Sequence, residues 1–183
     1  MSQRTVEDDA LLDAARACVL AVGVRRTTMT DVARQAEVSR MTLYRRFPDV
    51  TSLLQALMTR EFTPLVEDTS GSTPAANARE RLVTGALAGI ERLTSDPLFR
   101  RILDVDPELL LPYLTTRLGG FQRAVVASFE QRIAEGIADG SIAASDPAAV
   151  ARTLELALRG FVFQPEAGDM TQLRRLLDRY LAP

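Results

Sequence analysis

The stretch TTMTDVARQAEVSRMTLYRRF, residues 27–47, constrains this chain more than any other. It holds two helical patterns too short to persist alone, separated by Glu37-Val38-Ser39 as a turn. Thr28-Met29-Thr30-Asp31 has the spacing of a capping box, with Asp in place of the usual Glu. The first pattern therefore starts near Thr28 and turns Val32, Ala33 and Ala36 toward a core. Ser39 is suited to cap the second, over about 40–47, and Pro48 stops it. Arg40, Arg45 and Arg46 surround its Thr42-Leu43-Tyr44 centre. A short helix with one apolar side and one cationic, hydroxyl-bearing side suits a DNA major groove. There, Arg and hydroxyl groups meet phosphates and base edges.

The rest of the chain also reads as helical. Leu11, Ala15, Cys18, Val19 and Val22 form a stripe over about 7–22, and Gly23 is a natural stop. Cys18 reads as a small core residue. After Pro48, Asp49 or Thr51 can cap a helix reaching about Pro64, with Leu53, Leu54, Leu57, Met58 and Phe62 on one side. Residues 67–74, EDTSGSTP, form the clearest linker. A helix then runs from near Pro74 to about 94, with Leu82, Val83, Leu87 and Ile90 inward. Asp96-Pro97, Asp106-Pro107 and Asp146-Pro147 each pair a capping carboxylate with Pro at the first helical position. Leu118, Phe121, Val125, Phe129, Ile133 and Ile137 mark a long helix ending at Gly140, and a last helix covers about 169–181. No strand alternation and no repeat occur. The expectation is an all-α fold of about nine helices.

Charge divides along this chain of net charge −2. Residues 14–48 hold Arg16, Arg25, Arg26, Arg34, Arg40, Arg45 and Arg46 against Asp31 and Glu37, whereas the segment after residue 60 is net acidic. A basic head on an acidic body points to a polyanion at one end only. All 22 basic residues are Arg. With no His and only Cys18, Ser-His and Cys-His nucleophile systems and typical zinc sites are excluded, and no phosphate-binding Gly loop is present. An enzyme is therefore not expected, nor is a cofactor or metal. The overall acidity also argues against a non-specific architectural DNA-binding protein, which needs a broad positive surface. No run of 18 apolar residues occurs, and the polar, acidic beginning is unlike a signal peptide, so a cytoplasmic setting is expected.

Thr28, Val32, Ala33, Ala36, Val38, Ser39, Thr42, Leu43, Tyr44 and Phe47, followed by Leu53 and Leu54, resemble the DNA-binding domain of the bacterial TetR (tetracycline-repressor-like) family. The resemblance covers about 45 residues; the remainder is similar in layout only. It implies a three-helix helix-turn-helix domain over 1–49 and a helical effector-binding and dimerisation domain over 50–183, with the helix at 50–64 as connector. By this resemblance Arg40, Met41 and Thr42 face base edges, Tyr44 meets the DNA backbone, and Arg45 and Arg46 lie along the groove. Thr28 bonds a phosphate, and Ser39 stands beside it as a candidate contact. For Thr28 and Ser39, plain capping is an equal and compatible reading. Leu43 and Phe47 read as core.

This chain departs from the family pattern at three positions. Glu37 stands where the turn usually has Gly, Arg46 where His is common, and Val50 where a Lys usually meets the DNA backbone. Arg25, Arg26 and Arg46 are candidates to replace that contact.

The resemblance further implies a homodimer on double-stranded palindromic operator DNA, acting as a repressor released by a small effector. Control by a protein partner is the alternative. Val150, Leu154, Leu158, Phe161, Leu173, Leu177 and Tyr180 are the expected dimer interface, with ordinary core as the competing reading. Ile90, Phe99, Leu103, Leu110, Tyr113, Leu114, Arg117 and Phe121 are the expected effector lining, mostly aliphatic and so suited to an apolar molecule.

Overall fold

In a computed structural model, residues 3–67, 76–110, 119–143, 146–164, 166 and 168–183 are described. Every regular element among them is helical: α1 (Gln3–Val22), α2 (Met29–Gln35), α3 (Arg40–Arg46), α4 (Val50–Glu67), α5 (Ala78–Ser95) and α6 (Pro97–Val105) come first. A 3-10 turn (Pro107–Leu110), α7 (Gly120–Ala138), α8 (Pro147–Phe163) and α9 (Met170–Leu181) follow. None of these helices is long and apolar enough to cross a membrane.

The helix ends follow local chemistry. Gly23, at φ +84°, leaves α1 by the left-handed route, and its N–H donates to Val19 O at 2.9 Å. Asp49, rather than Thr51, caps α4, accepting from Ser52 N–H at 2.7 Å. Asp96, Asp146 and Asp169 cap α6, α8 and α9. Pro64 does not end α4, which continues to Glu67. A proline lacks one helical N–H, and so close to the helix end few later bonds depend on it. Asp106 corrects another expectation. It does not serve as the cap of the segment after it, because its carboxylate is bonded to a distant turn described below.

Packing divides the chain into two units, Met1–Glu61 with Asp96–Gly120, and Phe62–Ser95 with Phe121–Pro183. The boundary expected at 49 is thus not a packing boundary, because α6 belongs with the first three helices and lies on α1. The first unit buries Leu11, Ala15, Val19, Val32, Leu43, Leu53, Leu57, Leu98 and Ile102. From the predicted α1 stripe, Val22 proves exposed and Cys18 half-buried, since both stand at the margin of that core.

The second unit is built on a larger apolar cluster. Leu82, Val83 and Ile90 of α5 meet Phe129 and Ile133 of α7, Leu154 and Leu158 of α8, and Leu173 and Leu177 of α9. Gly136 lets Ile142 fold back onto α7, where a Cβ would stand 2.4 Å from Ile142 Cδ1. Asp139 and Ser141 accept from the free N–H groups of Ala78 and Arg79 at 2.8 and 3.1 Å, completing the start of α5.

Candidate nucleic-acid interface

The helix-turn-helix rests on reciprocal caps. Thr28 Oγ1 accepts from Asp31 N–H at 3.2 Å and donates to Asp31 Oδ2 at 2.5 Å. Asp is short for a capping box, so the return bond goes to the hydroxyl instead of the backbone. The Thr28 hydroxyl, followed by the attraction of Arg34, holds the Asp31 carboxyl below its ordinary value, with burial opposing. Ser39 Oγ accepts from Thr42 N–H at 3.1 Å and lies 2.9 Å from Thr42 Oγ1. Between these caps, Val38 N–H donates to Ala33 O at 3.0 Å and Glu37 N–H to Arg34 O at 3.2 Å. That pair of bonds is a Schellman ending, whose left-handed position favours glycine. Glu37 occupies it at φ +55°, as the departure from the family pattern predicted. An L side chain there costs about 1 kcal/mol.

The helical period then separates the side chains of α3. At about 100° per residue, Arg40, Met41, Tyr44 and Arg45 fall within one arc, and Thr42, Leu43 and Arg46 fall opposite. Accordingly Leu43 is fully buried, while Arg40, Arg45, Met41 (77% exposed) and Tyr44 (47% exposed) face outward. Thr28 and Ser39 are exposed beside them; Thr42 and Phe47 are half-buried.

Arg46 departs from its expected role. Its side chain is only 15% exposed and its Nε lies 3.3 Å from Asp8 Oδ1 of α1. It braces the head from within, and the outer face carries two arginines of the three expected. The same period that exposes Arg45 turns the next residue inward, and the distant Asp8 gives that charge an internal partner.

The remaining candidate phosphate contacts lie in the α1–α2 turn. Arg26 Nε donates to Val22 O at 2.9 Å. Arg25, 66% exposed at its side chain, pairs with Glu108 Oε1 at 2.5 Å. Asp106, only 2% exposed, accepts from Val24 N–H at 2.6 Å and from Arg25 N–H at 3.4 Å. Thr27 closes the turn, donating its hydroxyl to Gly23 O at 2.7 Å. The end of α6 is thereby bonded to the turn that leads into α2. Nothing short-range in the sequence marks this bond, since Val24 and Asp106 are 82 residues apart. On the other side, Arg60 of α4 reaches Asp13 Oδ1 at 2.8 Å, and Arg16 reaches Glu61 Oε2 at 2.9 Å, which fastens α1 to α4.

Other expected sites fare differently. Val150, Leu154, Leu158, Leu173 and Leu177 are buried within the second unit, so they are intrachain core and not available to a mate. Phe161 packs against that core, and Tyr180 is exposed. Helical periodicity marks an apolar face without saying which molecule covers it. Leu156 and Leu176, the second of them within the apolar pattern of the last helix, are the exposed leucines of α8 and α9.

From the expected effector lining, Ile90 belongs to the second unit's core, and Phe99 and Leu110 are buried in the first unit. Leu103 is half-buried, and Phe121 meets Phe62 edge-on at 5.9 Å. Tyr113, Leu114 and Arg117 lie outside the described residues. A cavity of about 580 Å³ between α5 and α7 is lined by none of the eight; Arg81, Ser128, Gln131, Arg132 and Glu135 give it a polar wall. The half-buried Cys18 thiol is held above its ordinary pKa, first by burial and then by Asp31, with Arg34 opposing. Such a thiol is a poor nucleophile.

Comparison with known proteins supports the same assignment. Residues 11–57 match the family described as "Bacterial regulatory proteins, tetR family". An uncharacterized HTH-type transcriptional regulator of Mycobacterium tuberculosis is 29% identical over 179 residues, covering 93% of this chain and 92% of the relative. The TetR family repressor AlkX from Dietzia, implicated in biodegradation of n-alkanes, is 25% identical with a TM-score of 0.65, covering 93% and 90% of the two chains. The transcriptional repressor QsdR of R. erythropolis has a TM-score of 0.77 at 15% identity, over 97% of this chain and 95% of that one, and so shares the fold. With the caps, the turn and the outward cationic face of α3 in place, residues 11–57 form a helix-turn-helix domain that matches the tetR family, on a chain similar over most of its length to an HTH-type transcriptional regulator.

Proposed function

We propose that this regulator is a homodimeric repressor that reads a palindromic operator with the outer face of α3 and releases it on binding a small apolar effector. The outward arc of Arg40, Met41, Tyr44 and Arg45 carries the DNA-reading part. Its guanidinium groups suit guanine edges and phosphates, and the Tyr44 hydroxyl suits the DNA backbone. Thr28 and Ser39, exposed at the starts of α2 and α3, are positioned for further contacts, with Met41 and Thr42 beside them. A helix of seven residues spans few base pairs, so two copies are required, on half-sites related by two-fold symmetry.

A second copy covers the exposed apolar groups Leu156, Leu176 and Tyr180 of α8 and α9 in this reading. These helices already bury their inner sides, and an outer apolar set gives a mate something to cover. An apolar effector is consistent with a similar regulator, 25% identical, that is implicated in biodegradation of n-alkanes.

Selection of bound fragments from a random DNA pool tests the operator: an inverted repeat is expected, and sequence-independent retention would contradict it. Release of the enriched duplex by added apolar compounds, followed by fluorescence anisotropy, tests the effector. Light scattering that returns a monomer at micromolar concentration would remove the dimer.

A further inference from the structure

We propose that two neighbouring carboxylates just after α6 act on DNA affinity with opposite signs: Asp106 positions the α1–α2 turn for binding, and Glu108, in the 3-10 turn, holds Arg25 back from phosphate. The inference rests on the DNA-binding reading above and adds two residues outside the helix-turn-helix.

Asp106 is a charged group taken almost wholly from solvent, and its partners explain why it stays there. One oxygen accepts both amide N–H groups of the turn, from Val24 and Arg25. The other lies 3.9 Å from the Arg25 guanidinium. Two backbone donors aimed at one carboxylate fix a turn more firmly than packing of small residues, since each bond is directional. Gly23 completes the fit. A Cβ there would stand 2.9 Å from Asp106 Oδ2, and the residue's φ of +84° disfavours any side chain. The turn leads directly into Thr27 and Thr28, so its position sets where α2 starts and where Thr28 presents its hydroxyl.

Glu108 does the reverse. It forms an ion pair with the same Arg25, whose side chain is two-thirds exposed. Val50 leaves the usual cationic contact vacant, and Arg46 is turned inward to Asp8. Arg25 is then a cation near α2 that a phosphate must win from an internal carboxylate. An exposed pair of this kind is weak in water and is broken readily by a competing polyanion. The result is a brake on affinity.

The test is fluorescence anisotropy of the full-length protein on the operator enriched from random DNA, over a range of salt concentrations. The variants are Asp106→Asn, Glu108→Gln, Arg25→Gln and the Glu108→Gln/Arg25→Gln pair. Asp106→Asn is expected to weaken binding about tenfold. Glu108→Gln is expected to tighten it severalfold, with a salt slope steeper by about one. In the Arg25→Gln background the Glu108 effect should vanish, which a purely structural role would not produce. Circular dichroism and thermal melting keep the comparison to folded molecules. If Asp106→Asn fails to fold, Val24→Pro, which removes one of the two donors, replaces it, with the same weakening expected. Equal affinities for wild type and the folded variants, or weakening by Glu108→Gln, would overturn the proposal. Failure of wild type to enrich any duplex would instead overturn the operator reading beneath it.

Discussion

The two packing units bury their side chains by different means. In the second, long helices share one apolar cluster, and the polar devices, Asp139 at α5 and the caps Asp146 and Asp169, tidy helix ends. In the first, α2 and α3 have seven residues each and bury only Met29, Val32, Ala33 and Leu43 between them. There, caps, a Schellman turn and long-range ion pairs supply much of the geometry. A reading head must leave one face of a short helix unburied, so fewer apolar contacts are available to hold it. Directional bonds fill that role, and they also place hydroxyls and guanidinium groups accurately. The larger apolar cluster lies in one unit and the proposed reading face in the other.

Four substitutions sharpen or break that contrast, in order of expected effect. Leu154→Ala should cost about 2–5 kcal/mol of stability, read by chemical denaturation, because it opens a cavity in the cluster. A loss below about 1 kcal/mol would mean that the second unit does not depend on that cluster. Arg45→Ala should weaken operator binding by about 1–3 kcal/mol while leaving the melting temperature unchanged. Unchanged affinity in a gel-shift series would take Arg45 off the reading surface. Glu37→Gly should raise stability by about 1 kcal/mol, since it relieves the left-handed backbone, and should tighten DNA binding slightly by removing a carboxylate from the turn.

The smallest effect concerns acid. The Asp31 carboxyl is held below its ordinary value of 3.8 in the folded chain. A depressed folded-state value means that its contribution is full above the unfolded value and fades as pH falls through the folded one. Asp31→Asn should therefore flatten the stability profile only on the acid side of about pH 4. A change at neutral pH of the same size as in acid would assign the cap's strength to geometry instead of charge.

How much of this was legible in the sequence depended on distance along the chain. Caps, turn and stops are local: Thr28, Ser39, Asp49 and Gly23 each act within five residues, and the strained Glu37 was visible as the wrong residue at a glycine position. The core positions Leu82, Val83, Leu87 and Ile90 of α5, and Phe129 and Ile133 of α7, followed from period alone. Two kinds of fact were not readable. One is the remote partner, as when Asp8 claims Arg46 and the α1–α2 turn claims Asp106. An Asp before Pro looks like a helix cap whether or not its carboxylate is occupied elsewhere. The other is the identity of the covering surface. Leu154 and Leu177 carry the same stripe whether they face their own chain or a second one, and only the folded neighbours decide. Pro64 shows a third limit, since a breaker near a helix end is weaker than one in its middle.

The most direct test of the central claim is selection of DNA from a random pool by wild type and by Arg45→Ala in parallel. The account predicts an inverted repeat for wild type, and relaxed preference at one symmetric pair of positions for the variant. Identical repeats from both proteins, or no repeat from wild type, would contradict the assignment of the outer face of α3 as the reading surface.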